Sequence, residues 1–74
     1  MKELTIIMLG SQDFNKMVLS EDSKVNDTYV RNLDTDLLYK MLEDFDYLKI
    51  YKEDDYSVSR NHLISTKHII RVTY

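Results

Sequence analysis

Two histidines, His62 and His68, and two carboxylate clusters, Glu53-Asp54-Asp55 and Asp34-Thr35-Asp36, are the side chains whose types could do chemistry in this sequence. Histidines six apart can share a zinc ion when further ligands stand nearby. Residues 57–74 hold no acid to complete such a site locally. Clustered carboxylates can hold calcium or magnesium, but a calcium loop needs spaced ligands, a central glycine and a closing glutamate. Neither cluster has that spacing, and Asp34 already has a role as the cap of a helix. Ser57, Ser59 and Ser65 lie near His62, yet no nucleophile elbow surrounds any of them. Gly10 is the single glycine, which leaves no stretch able to cradle phosphate with backbone amides. A chain of 74 residues also has little room for a deep, water-excluding pocket. The expectation is a protein that is not an enzyme and carries no cofactor and no metal site.

Binding by charge and aromatic rings remains. Residues 32–56 carry eight acidic groups against Lys40, Lys49 and Lys52, while residues 57–74 carry Arg60, Lys67 and Arg71 and no acid. The leading expectation is a small protein-binding module presenting an acidic face of Asp36, Glu43, Asp44, Asp46, Glu53, Asp54 and Asp55. Tyr39, Tyr51 and Tyr56 are its candidate anchors, since tyrosine combines contact area with a polar tip. A line of carboxylates can imitate phosphates, so an inhibitor occupying the nucleic-acid groove of a larger protein fits this pattern. An alternative is a nucleic-acid-binding or transcription-regulatory module using the basic C-terminal stretch with Arg60, Lys67 and Arg71. The net charge of −3 weighs against it, because such modules show a strong basic footprint. A third reading is a structural homodimer or assembly protein, joined through the C-terminal strand, whose edge Arg71 alone defends.

The element that positions much of this is a helix over about 34–45. Leu37, Leu38, Met41, Leu42 and Phe45 recur at helical spacing as one apolar stripe. Asp34 is placed to cap it, Leu33 and Leu38 to form a hydrophobic staple, and Asp36 to meet the helix dipole. Leu4–Leu9 reads as a strand, buried on both faces because it hardly alternates. Ser11–Asn15 reads as a turn, with Phe14 folding back onto the core, and Met17–Leu19 as the second strand of a hairpin. Ser20–Thr28 reads as a polar loop and Tyr29–Arg31 as a brief extended segment. Residues 47–60 read as a second hairpin around Glu53–Asp55, with Leu48 and Ile50 on one face and Tyr47, Lys49 and Tyr51 on the other. Its second strand starts at Tyr56-Ser57-Val58 and extends through Asn61–Ile64. A tight turn at Ser65–Lys67 precedes a last strand from His68 to Tyr74, with Ile70, Val72 and Tyr74 on one face. The sum is a single α+β domain over 1–74: a small antiparallel sheet of about five short strands with one amphipathic helix on one face. A small SH3-like barrel with the helix inserted is the alternative.

Size shapes the rest. A chain this short buries only about 60% of the surface its unfolded form exposes, so its stability is marginal. Without cysteine no disulfide helps, and packing, self-association or a partner must. No apolar run approaches the roughly 20 residues that span a bilayer. The expected setting is the cytoplasm of a bacterial or phage-infected cell, in the style of small accessory proteins of phages and mobile elements.

Overall fold

The computed structural model describes residues 1–10, 14–53 and 60–74, Phe14 by its backbone alone. The expected turn at 11–13, and with it the folding-back of the Phe14 side chain, lies outside the described residues. So does the strand segment 56–59.

The elements are β1 (Glu3–Leu9), β2 (Phe14–Ser20), β3 (Lys24–Val25), β4 (Thr28–Tyr29), α1 (Thr35–Asp44), β5 (Tyr47–Lys52), β6 (Arg60–Ser65) and β7 (Ile69–Thr73). Tight 3₁₀ turns at Val30–Asn32 and Thr66–His68 complete the order. The α+β class is as expected, but these strands form two antiparallel sheets, β2-β1-β7 and β4-β3-β5-β6, rather than one. The chain passes from the first sheet to the second within three residues after Ser20, where the Ser23 amide donates to the Ser20 carbonyl at 3.0 Å. A hydrophobic core unites the parts: Leu4 and Ile6 of β1, Leu19 of β2, Val25 of β3, Leu48 and Ile50 of β5, Ile64 of β6, with Val30, Leu33, Leu38 and Met41. Full burial of each such side chain contributes about 1.5–3 kcal/mol.

Both hairpins form. β1 pairs with β2 from Glu3↔Ser20 to Leu9↔Phe14, and β5 pairs with β6 from Tyr47↔Ser65 to Lys52↔Arg60. On β5, Leu48 and Ile50 are buried and Tyr47 and Lys49 exposed, as alternation requires. β1 is less closed than a continuous apolar run implies: Leu4 and Ile6 are buried, Thr5 and Ile7 half-buried, and Leu9 exposed.

The segment 20–28 is not a loop. It holds β3, β4 and the two-residue connection Asn26-Asp27, where both φ angles are positive, 49° and 66°. Positive φ at both central residues is the turn whose twist matches a hairpin, and Asn and Asp tolerate that region better than other side chains. Asn26 then ties the turn to β5: its amide donates to the Lys49 carbonyl at 2.8 Å, and its Oδ1 accepts from the Lys49 amide at 2.9 Å.

Helix α1 starts as expected, with Asp34 Oδ1 accepting from the Leu37 amide at 2.8 Å. Leu38 and Met41 are buried and Leu37 and Leu42 half-buried. Phe45 departs from the expected stripe and is 51% exposed. It is the C-cap, with extended φ −116° and ψ 138°, so the helical periodicity has ended before its side chain is placed. The last strand also departs. Its register to β1 shifts between Ile7↔Arg71 and Met8↔Ile69, leaving Ile70 as the extra residue of a bulge. Ile69 and Val72 therefore pack on the core, while Ile70, expected to share a face with Val72, is 53% exposed.

Candidate functional site

The bulge and the helix together make a groove. Tyr39 and Leu42, three apart on α1, form the flank of the helix that meets β7. With Thr66, Ile69, Ile70, Arg71, Val72 and Tyr74 they line a depression of about 400 Å³. The Thr66 side chain fixes one end of it, its hydroxyl bridging the carbonyls of Phe45 at 2.8 Å and Asp46 at 3.0 Å. The Thr66 amide also donates to the Asp46 carbonyl at 2.9 Å. These bonds clamp the end of α1 to the turn before β7. Large apolar or aromatic surface remains open to solvent on Tyr39, Ile70 and Tyr74. β7 is an edge strand of its sheet, so the backbone of its outer side is unpaired among the described residues.

The Tyr39 phenol is raised above its ordinary value by the neighbouring Tyr74 phenol, first through hydrogen bonding and then through phenolate charge, with slight desolvation acting the same way. A bond that favours the protonated form is one that Tyr39 donates. Its contribution is present below the ordinary tyrosine range and is lost as pH rises through the raised folded value. Tyr74→Phe is expected to return the Tyr39 titration toward the ordinary value. NMR titration of the Tyr39 ring checks this, and an unmoved titration would refute the bond.

The acidic side chains divide. Asp36, Glu43, Asp44 and Asp46 are exposed on α1 and just beyond it. By helical spacing Asp36 and Glu43, at i−3 and i+4 from Tyr39, stand beside that ring on its side away from Leu42, and neither lines the groove. Glu53 stands elsewhere. It accepts from the Tyr51 hydroxyl at 2.8 Å, and its amide donates to the Oγ of buried Ser23 at 3.1 Å. Glu53, Tyr51, Asp22, Lys24, Tyr29 and Arg31 surround one polar pocket of mixed sign. There Lys24 and Arg31 lie over the Tyr29 ring at 4.7 and 3.9 Å, and Arg31 pairs with Asp22 at 2.7 Å. Tyr51, expected as an anchor beside Tyr39, is thus engaged within this cluster. Asp54, Asp55 and Tyr56 lie outside the described residues.

The three basic residues of the C-terminal stretch do not share a patch. Arg60 and Arg71 line separate cavities, and Lys67 is exposed in the turn between β6 and β7. The length of β6, five steps at about 3.3 Å each, keeps Arg60 well away from Lys67. Sequence reasoning places Leu42 in the helix stripe and Ile70 and Tyr74 on one face of the last strand, and does not bring the three together. The bulge that turns Ile70 outward has no signal in a strand sequence without glycine, and Tyr39 and Tyr74 meet only through the fold.

The chain matches no protein-family model, no curated protein and no solved structure. Among the described residues no three of His, Cys, Asp and Glu converge as a metal site, and no helix is long and apolar enough to cross a membrane.

Proposed function

We propose that this protein is a small non-enzymatic docking module, acting by occupying the surface of a larger protein. Its contact is the groove between α1 and β7, and its partner contributes an extended segment that adds as a strand to the edge of β7. The single observation that carries this reading is the exposed Ile70 bulge beside Tyr39 and Tyr74 on an unpaired strand edge. Strand addition draws affinity from main-chain hydrogen bonds and specificity from side-chain pockets on alternate residues. Tyrosines flanking such a pocket supply area at low entropic cost. Asp36 and Glu43 beside Tyr39 favour a segment whose apolar residues alternate with lysine or arginine, and the acids steer its approach. This keeps the aromatic and acidic residues of α1 as the functional surface and moves the anchors from Tyr51 to Ile70 and Tyr74.

Within this reading the fold is an SH3-like barrel with α1 inserted. Its support is the connectivity: a β1–β2 hairpin, a chain that changes sheets between β2 and β3, a β5–β6 hairpin, and a 3₁₀ turn that returns β7 to β1.

Selection of short random peptides against the folded protein is expected to enrich alternating apolar and basic sequences. A selected peptide is expected to lose about tenfold or more in affinity, by calorimetry, on Tyr39→Ala or Ile70→Lys. Selected peptides that bind Ile70→Lys as tightly as the parent overturn the groove as the docking site. Light scattering distinguishes a second copy of the chain as occupant: a dimer that Ile70→Lys dissociates puts β7 of another copy on this edge.

A further inference from the structure

The inner faces of the two hairpins change character along their length. Cross-strand partners share a face, so Leu4/Leu19, Ile6/Met17 and Met8/Asn15 form successive rungs of β1–β2. Leu48/Ile64, Ile50/His62 and Lys52/Arg60 do the same on β5–β6. The first rungs are core. The last ones, on the same faces, are Met8, Asn15, His62, Lys52 and Arg60. These five, with Lys16 and Met17, line a cleft of about 380 Å³. The core face of β5–β6 thus ends in two formal cations, Lys52 and Arg60, and the His62 imidazole. Lys16, whose partner Ile7 is on the opposite face of β1–β2, adds a third cation to the lining. Among the described residues no carboxylate lines the cleft, in a chain whose net charge is −3.

Elsewhere two cations have acidic partners: Arg31 pairs with Asp22 and Lys49 with Asp27. Among the described residues Lys16, Lys52, Arg60 and His62 make no such pair. Lys52 and His62 are half-buried. Like charges converging in a partly dry cleft repel one another, and an anion placed between them converts each repulsion into an attraction. The side-chain types suit phosphate. Arginine offers a planar fork to two oxygens, lysine a compact charge, and the Asn15 side-chain amide a neutral donor. Met8 and Met17 supply an apolar floor without competing acceptors of any strength. The volume is within the usual range of small-molecule pockets, about 300–1,000 Å³, and exceeds what one phosphate needs.

We propose that this cleft is an anion site for two adjacent phosphate groups, as carried by a free nucleoside diphosphate or by the backbone of a single nucleic-acid strand. Arg60 and Lys52 grip the phosphates from β5–β6, and Asn15 and Lys16 close on them from β2. Among the described residues no aromatic ring lines the cleft, and its cations suit phosphate rather than a stacked base. This site is separate from the α1–β7 groove and does not depend on it.

The test is an amide NMR titration of the full chain with sodium pyrophosphate, at ionic strength held constant with sodium chloride. Saturable shifts are expected at Met8, Asn15 to Met17, Lys52 and Arg60 to His62. Lys52→Gln and Arg60→Gln are each expected to weaken binding by about fivefold to tenfold, in keeping with the loss of one charge-assisted contact. Lys67→Gln, outside the cleft, leaves it unchanged. The spectrum reports whether each variant folds, and Lys16→Gln, at an exposed position, replaces any that does not. ADP and a short oligothymidylate are titrated alongside. Tighter binding of ADP than of the oligomer assigns a free nucleotide, and the reverse assigns a strand; either supports the site. Shifts that do not saturate and spread over Lys2, Lys40 and Lys67 overturn it. So does a Lys52→Gln/Arg60→Gln double variant that binds as the parent does, or cleft amides that respond to none of the three probes.

Discussion

Leu38→Ala is expected to cost about 2–5 kcal/mol, the range for truncating a fully buried leucine in a core that cannot fully collapse around the gap. Leu38 is 1% exposed and belongs to the core that joins the two sheets to α1. A chain of 74 residues has a total stability of about 4–11 kcal/mol at the usual 0.05–0.15 per residue. The loss therefore takes about a fifth of the fold's margin at least, and can take all of it. Urea unfolding at fixed pH measures it as a lowered midpoint at unchanged slope. Tyr39→Ala, one residue along and 52% exposed, is the matched control and is expected to stay within about 0.5 kcal/mol. Equal losses in the two variants would mean that α1 is not seated through Leu38. The pair also separates two roles of one helix: Leu38 holds the element, and Tyr39 presents it.

The helix was legible because three local signals agree. Asp34 caps it, Leu38 and Met41 repeat at its period, and Asp36 meets its dipole, and none of these needs knowledge of the rest of the chain. The β5 alternation was legible for the same reason. What escaped was whatever depends on pairing. The bulge at Ile70 arises from the register of β7 against β1, so a uniform alternation put Ile70 on the wrong side. Phe45 continues the helical period in sequence, but the helix ends one residue before it. Nearness in sequence makes the acidic run look like one face. Glu53, however, is drawn to Ser23 and Tyr51, away from the acids of α1. The cleft was hidden for the complementary reason: Lys16, Lys52 and Arg60 come from three strands, and each is unremarkable alone. Only cross-strand pairing shows that Lys52 and Arg60 end the row begun by Leu48 and Ile64, and that Lys16 sits beside Asn15 at the end of the row begun by Leu4 and Leu19.

Asn26 poses the same problem at its smallest scale, and its replacement is the second large effect expected. Its polar side chain within Ser20–Thr28 looks like loop composition, yet it does the work of a strand residue. Its amide and Oδ1 bond both backbone groups of Lys49, extending the β3–β5 pairing past Val25↔Ile50. Asn26→Gly keeps access to the positive φ and removes the Oδ1 acceptor, leaving the Lys49 amide unpaired, a loss of about 1–2 kcal/mol. Asn26→Ala removes the same acceptor and also forces a β-carbon into the left-handed region, which adds about 1 kcal/mol. The expected order in urea midpoint is parent, then Gly, then Ala, with Ala lower by about 2–3 kcal/mol in all. One opposing contribution trims both losses: Asn26 Nδ2 is buried without a partner among the described residues, and both substitutions delete it. Asn26→Asp separates the effects further, since it retains an acceptor and tolerance of positive φ but adds charge next to Asp27. An alanine variant as stable as the glycine one would show that the backbone at Asn26 is not held at φ 49°, and the turn would have to be redrawn.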